Sequence, residues 1–285
     1  MITNSARKRL ERIIDFALEE DVGRGDVTTN ILIPKTAKAR ARIVTHETAT
    51  MAGLEVAKQV FKRLDKHVRV RPFFKDGDIV RSGKRIIEIQ GNARALLTAE
   101  RVALNFLSHL SAIATNTTAF VKNVQPTKVE IVDTRKTTPG LRLFEKKAIR
   151  CAKGINHRFN LNEMVLIKDN HHLLSHLSIT DMIAKAKHET RKLIGVEVEN
   201  FEDFKEAWAA RPHLILLDNM TIPEIKRAVD FSKKDRSSQK PVLEVSGGVT
   251  LKNIRSIMKT GIRRMSIGAL THTKKTINIS MEIVI

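Results

Sequence analysis

The chain has no tyrosine, one tryptophan and one cysteine, and aromatic residues make up only 4% of its 285 positions. A lone cysteine, Cys151, excludes an intrachain disulfide and a cysteine-built metal centre, and it fits a reducing, cytoplasmic setting. Scarce aromatics argue against a single-strand nucleic-acid binder built on stacking platforms, so nucleic acid is not expected as a partner. No apolar run approaches the roughly 18 residues that read as a membrane span, so no membrane partner is expected. The opening residues MITNSARKRLERIIDFALEED lack the long apolar core of a signal peptide. Leu10, Ile13, Ile14, Ala17 and Leu18 instead fall at helical spacing and predict an amphipathic helix packed on the body.

Positive charge is present in excess. Lysine and arginine number 51 against 31 acidic residues, giving a net charge of +20 and a pI near 10.3. Such a balance suits anionic partners, whether nucleic acid, acidic membrane or phosphorylated and carboxylated metabolites. The cations are spread along the chain. They are densest at 35–42 (KTAKARAR) and 58–75 (KQVFKRLDKHVRVRPFFK), segments that read as solvated basic surface. An apolar fraction of 42% supports a real core, and the length suits one large domain or two ordinary ones.

Two regions differ in pattern. Up to about residue 92, short alternating stretches (ARARIVTH, HVRVRPFF, DIVRSGKRIIEIQG) predict half-buried strands. The glycines Gly77, Gly83 and Gly91 give a spacing like that of lipoyl-carrier half-barrels. A carrier needs its modified lysine on an exposed hairpin, and the stretch presents no convincing one, so a small sheet sandwich is expected. A long apolar helix is predicted over Ala93 to Thr115, with Arg101 on it. From residue 129, apolar runs recur about every 20 to 35 residues with helical stretches between them, the rhythm of βα units and a parallel sheet. The alternating tail INISMEIVI predicts a strand that closes a sheet, with the N-terminal sheet as its natural partner.

In a βα barrel, functional groups gather at the C-terminal ends of the strands. Those ends here carry Arg135-Lys136, Lys168, Glu199, Asp218, Ser246-Gly247-Gly248 and Gly268. Arg135, Lys136, Arg158 and Lys168 would converge on one mouth, where so many cations are tolerable only if anions fill it. Glu197 and Glu199 lie two apart and so share a face. Carboxylates among cations suggest a magnesium site, ribose hydroxyl ligands or stabilisation of a developing positive carbon; the alternative is ion pairing with Arg158 or Lys168. The glycine turns after EVS and SI fit a phosphate cradle near the last strands.

DTRKTTPGLR (133–142), NHR (156–158), LIKDNH (166–171), VEVEN (196–200), LLDNM (216–220), SGG (246–248) and SIGALTH (266–272) together resemble the quinolinate phosphoribosyltransferase family, and so do EEDVGRGDVTT (19–29) and LLTAERVALNFLSHLSAIAT (96–115). The resemblance spans nearly the whole chain. It implies an α/β fold: an N-terminal α/β sandwich domain (1–115), an open seven-stranded α/β barrel (116–272) and a C-terminal strand returning to the first domain (273–285). It also implies a reaction, in which quinolinate and phosphoribosyl pyrophosphate give nicotinate mononucleotide, pyrophosphate and carbon dioxide.

Carried over, Thr134, Arg135, Lys136, His157, Arg158 and Lys168 line the quinolinate and pyrophosphate pocket. Glu199 and Asp218 hold ribose and Mg2+, and with Lys136 and Lys168 they form the catalytic set. Ser246, Gly247, Gly248, Ile267, Gly268, Ala269 and His272 hold the 5′-phosphate. The implied assembly is an obligate homodimer, with a hexamer as a larger option, in which Arg101 reaches the partner's site.

One departure stands out. Where the family has three glycines before the NHR segment, this chain has Ala152, Lys153 and Gly154. Alanine and lysine do not take a positive φ cheaply, so either the turn does not need it or the loop is rearranged. Among competing readings, the molybdenum-transport-associated branch of the same fold tends to lack the lysine of LIKDNH. A nicotinate phosphoribosyltransferase fits the DTRKTTPGLR context poorly, and a purely nucleic-acid-binding protein leaves the glycine-ended strands unexplained.

Overall fold

The computed structural model describes residues 4–272 and 275–284. The chain divides into two compact units. One contains the residues up to Thr118, Thr138–Lys153 and the residues from Lys274 onward; the other contains Ala119–Thr137 and Gly154–Thr273. No described helix is long and apolar enough to cross a membrane.

In the first unit, β1 (Lys38–Thr45), β2 (Ala49–Thr50), β3 (Arg69–Pro72), β4 (Ile79–Val80) and β5 (Arg85–Asn92) follow the alternating stretches of the sequence. The main sheet runs C-terminal strand (Ile279–Val284), β1, β5, β3, all antiparallel; β2 and β4 form a small separate ribbon. Strand alternation sends Ala41, Ile43, Ile87 and Ile89 to a buried face, where each is 0% exposed. The opposite face is solvated. The helix Leu54–Leu64 and the long helix Ala93–Val124 supply the rest of this core through Val60, Phe61, Leu96 and Leu107. The N-terminal helix, Asn4–Val22, buries Leu10, Ile14 and Leu18, as its periodicity predicts.

Two predicted boundaries are corrected. The long helix continues nine residues past Thr115 because Phe120 and Val124 keep the apolar spacing; it ends just before Gln125-Pro126, where a proline cannot continue it. The barrel domain is also not continuous from 116. The helix Arg142–Cys151 belongs to the first unit. It is held there by an edge-on contact of Phe144 with Phe106 and by the buried Glu145, which accepts from His109 Nε2 at 2.8 Å.

The second unit contains β6 (Glu130–Val132), β7 (Met164–Ile167), β8 (Leu193–Val198), β9 (Leu214–Asp218), β10 (Val242–Ser246) and β11 (Arg264–Ser266). They form one parallel sheet in the order β6-β11-β10-β9-β8-β7. Beside β6 a single residue, Ile155, pairs in parallel with Val132. Seven strands were expected, and among the described residues the sheet has six with this isolated bridge beside them. The pairing stops there because the next available donor, the His157 N–H, is taken by the Asp133 side chain at 2.8 Å rather than by a neighbouring strand. The barrel therefore stays open between this segment and β7. Outside the sheet, helices Phe201–Ala210 and Ile222–Lys234 pack through Phe201, Phe204, Trp208 and Phe231. Their N-termini are capped by Asn200 and Thr221, as polar residues at those positions should do.

Candidate active site

The six strand ends carry the residues that the sequence pattern placed there, and the fold sorts them into compartments. Arg135, Arg158 and Lys168 line a cavity of about 780 Å³ along the open seam, walled by Met164, Leu166 and Leu174. Burial first, and then the charge of Arg135, hold the Arg158 guanidinium below its ordinary value; Glu197 partly offsets them. An anion bound here would relieve that repulsion. Arg158 is further fixed by donating to the Met164 carbonyl at 2.9 Å.

Lys168 also borders a second cavity of about 690 Å³, lined by Glu197, Glu199, Asp218, Asp169 and Asp203. Lys168 Nζ lies 2.6 Å from Glu197 Oε1. Burial pushes the Glu197 carboxyl up; Lys168 opposes this, and the negative charges of Asp218 and Asp169 push it further up. Of the two carboxylates on this strand face, Glu197 takes the alternative of ion pairing with Lys168, whereas Glu199 is exposed at the rim. The signal for Glu197 was its alternation with Glu199, which places it one rung deeper, opposite Leu216 of β9.

Lys136 does not join the cation cavity. Its carbonyl accepts a hydrogen bond from Thr271 Oγ1. Its side chain runs beside Gly268 and His272: a Cβ added at Gly268 would lie 3.1 Å from Lys136 Cδ and 3.0 Å from His272 Nε2. The adjacent residues Arg135 and Lys136 thus serve different parts of the mouth. Thr134 Oγ1 accepts from the Lys136 N–H at 3.1 Å and shapes that turn. Ile267 is buried and ties the end of β11 to β6 by donating to the Val132 carbonyl at 2.9 Å; Ala269 opens the short helix Ala269–His272.

At the end of β10, the Ser246 carbonyl accepts from the Asn219 N–H at 2.9 Å. Gly247 and Gly248 follow with φ of 80° and 61°. A Cβ at Gly247 would fall 2.1 Å from Asn219 Oδ1, so no other residue fits there.

Beneath the rim lies a charged rung that the sequence reading missed. Arg264 donates to Glu244 Oε2 at 2.5 Å and to Glu130 Oε2 at 2.9 Å. Glu244 is fully buried, and burial raises its carboxyl although Arg264 opposes this. Its other oxygen lies 3.8 Å from His157 Nε2. His157 Nδ1 accepts from the Arg158 N–H at 2.8 Å, which leaves the proton on Nε2, facing Glu244. The one signal in the sequence was a lone glutamate inside the apolar run VLEVS.

Arg101 lies on the exposed side of the long helix of the first unit, so its charge is solvated in the single chain. Lys153 answers the question raised by the missing glycines: its φ is +66°, while Ala152 remains at φ −87°. The turn does need the left-handed conformation, and a lysine adopts it.

Comparison with known proteins gives the same assignment over both units. The family model for the quinolinate phosphoribosyl transferase C-terminal domain matches residues 113–282, and that for the N-terminal domain matches residues 26–111. The chain belongs to the quinolinate phosphoribosyltransferase family. It is 37% identical over 277 residues to a probable nicotinate-nucleotide pyrophosphorylase [carboxylating] of Bacillus subtilis, covering 96% of this chain and 93% of the relative. A nicotinate-nucleotide pyrophosphorylase [carboxylating] of Mycobacterium leprae is 36% identical, with 98% of each chain covered. The solved NadC of Streptococcus pyogenes superposes with a TM-score of 0.91 at 38% identity, over 97% of this chain and 96% of that one. A human nicotinic acid phosphoribosyltransferase is similar in fold alone, at 10% identity and a TM-score of 0.63 over 91% of this chain and 72% of that one. Against the quinolinate phosphoribosyltransferase pattern, the turn at Ala152-Lys153 is the local departure with a visible backbone consequence.

Proposed function

We propose that the chain joins quinolinate to phosphoribosyl pyrophosphate, giving nicotinate mononucleotide, pyrophosphate and carbon dioxide in NAD biosynthesis. The observation that carries this reading is the cavity lined by Arg135, Arg158, Lys168 and Lys185, which shares Lys168 with the carboxylate-lined cavity. A dicarboxylate suits the first and a ribose suits the second. Arg135 and Arg158 grip the carboxylates as planar forks; His157, which was expected to line that pocket, lies outside the cation cavity, with Nδ1 accepting from the Arg158 N–H and Nε2 facing Glu244. Lys136, Gly247, Gly248, Gly268 and His272 border the phosphate side of the mouth, with Ser246, Ile267 and Ala269 shaping it.

The ring nitrogen attacks C1 of the ribose as pyrophosphate leaves. The carbon develops positive charge, and Glu199 and Asp218 face it with negative charge. The nitrogen then carries a formal positive charge, which stabilises the electron pair left at C2 when carbon dioxide departs. A proton replaces it there. Glu199 and Asp218 fit Mg2+, which is typically held by one or two carboxylates together with substrate phosphates. When bound, the ion supplies charge neutralisation on pyrophosphate.

The assembly belongs to the same reading: a homodimer, with hexamers as higher assemblies, in which Arg101 completes the partner's site. Its support is the exposure of Arg101 together with four exposed apolar side chains of the same unit, Phe16, Val27, Ile31 and Leu32, of the kind a second copy covers. A cytoplasmic setting accords with a single thiol, Cys151, whose pKa burial raises.

The test is a product assay with quinolinate, phosphoribosyl pyrophosphate and Mg2+. Nicotinate mononucleotide and carbon dioxide are expected, with nicotinate a poor substitute for quinolinate. Lys168→Ala should lower turnover by at least about a hundredfold in a folded protein. Equal rates with nicotinate would sink the assignment of the cation cavity.

A further inference from the structure

The cation-rich segments 35–42 and 58–75 take no part in the reaction described above. They are far apart in sequence, but pairing of β1 and β3 with β5 brings their strand residues, 38–42 and 69–71, onto one sheet face, while 58–64 lie on the helix Leu54–Leu64. Because β5 lies between β1 and β3, Arg40 stands level with Gln90 and Gln90 with Arg69; on the next rung Arg42, Glu88 and Arg71 align. Lys38 extends the β1 row opposite Asn92. All five cations are exposed. The result is two cationic rails, each with charges about 7 Å apart along the strand, flanking a floor of Asn92, Gln90 and Glu88; the rails are about 10 Å apart.

The rails are partly preorganised. Arg71 and Arg85 lie over the same Phe73 ring, at 5.3 and 4.3 Å from its centroid. Two acids moderate the face: Glu282 pairs with Arg42 at 2.7 Å, and Glu88 accepts from Arg85 at 3.1 Å. Six cations against two carboxylates leave a strong excess of positive charge on one solvated sheet face.

We propose that this face binds the phosphate backbone of single-stranded nucleic acid, independently of base sequence. A polymer with one phosphate per nucleotide presents the regular line of negative charge that the rails match. Arginine, which supplies five of the six cations, binds phosphate through a bidentate fork. The floor amides of Gln90 and Asn92 can hydrogen-bond sugars or bases. Phe73 lies beneath guanidiniums and offers no free stacking platform, so recognition is electrostatic. Apart from Val284 at the edge and Phe73, which the guanidiniums cover, the described residues of this face offer no large apolar side chain to bury in a bilayer, which disfavours a membrane partner. Reading the chain linearly counted too few aromatics for a nucleic-acid partner; the folded sheet supplies a site that needs none.

The test is fluorescence anisotropy of a labelled 20-nucleotide oligouridylate with the full chain, titrated in salt. Binding should weaken with salt at a log–log slope of about −3, the value for four to five phosphate contacts on a single strand. Combining Arg40→Gln, Arg69→Gln and Arg71→Gln should weaken binding at least about tenfold at 0.1 M salt and reduce the slope by about 2. Nicotinate mononucleotide formation, thermal stability and the response to base sequence should stay unchanged. A control variant with the same charge loss elsewhere, Lys62→Gln, Lys234→Gln and Lys259→Gln, should bind as the parent does. Three results would overturn the proposal: no binding at 50 mM salt, equal weakening in the control, or tighter binding to phosphatidylserine vesicles or polyglutamate than to the oligonucleotide.

Discussion

Lys153 sits at φ +66°, where a side chain with a Cβ costs about 1–2 kcal/mol relative to the right-handed conformation. Nothing in the amino-acid pattern marks a lysine as left-handed; only the family's glycines hinted at it. Lys153→Gly should relieve the strain and, despite a more flexible unfolded chain, raise stability by up to about 1 kcal/mol, or roughly 2 °C in Tm. A fall in Tm would mean that the lysine side chain makes a compensating contact. The visible site residues were strand-end polar groups in recognisable strings. Glu197 and its ion pair with Lys168 were legible from the spacing of Glu197 and Glu199, but Glu244 was harder to see because its role depends on which face of a strand turns inward, one rung below the rim. Glu244→Gln keeps the shape but removes the charge facing His157 and Arg264. The KM for quinolinate should rise about tenfold, equivalent to about 1.4 kcal/mol, with a smaller change in kcat. An unchanged KM would show that His157 needs no such orientation.

Among the elements, strands and helices with clean periodicity were legible, including the C-terminal strand and its partner sheet. Two elements were not. In place of a seventh strand there is the isolated bridge of Ile155, because the Asp133 side chain captures the following N–H, an event that no hydrophobic pattern records. The helix Arg142–Cys151 joins the first unit through Phe144 and Glu145, contacts whose partners lie more than 30 residues away in sequence. Glu145 also gives that helix a pH dependence. Burial pushes its carboxyl up, but hydrogen bonds from His109 and Thr138 outweigh burial, so the net shift is downward. A depressed carboxyl stabilises the fold above its unfolded value near 4.5, and the stabilisation is lost as pH falls through the folded value. Urea unfolding should find Glu145→Gln less stable than the parent by about 1–3 kcal/mol at pH 7, with the gap narrowing at pH 4 and below. A gap that does not change with pH would remove the ionised carboxylate from the account.

For the whole molecule, the proposed dimer makes a stoichiometric forecast. If each site combines one chain's Lys168 with the other chain's Arg101, then Arg101→Ala and Lys168→Ala homodimers are both nearly inactive. Refolded together in equal amounts, half the dimers are mixed, and each mixed dimer has one intact site. About a quarter of parental activity should return, by two-fold symmetry. A mixture that exchanges subunits yet stays inactive would place the action of Arg101 within its own chain. The C-terminal strand carries a different consequence. It pairs with β1 over six residues, Arg40↔Val284 to Thr45↔Ile279, although about 240 positions separate the partners in the chain. During synthesis the first unit therefore starts before the barrel and is completed after it. Until Ile279–Val284 emerges, β1 is an open strand edge, the kind of feature that recruits other chains. The nascent protein is thus most exposed to misassembly in the unit made first, and its protection arrives only with the last strand of that sheet.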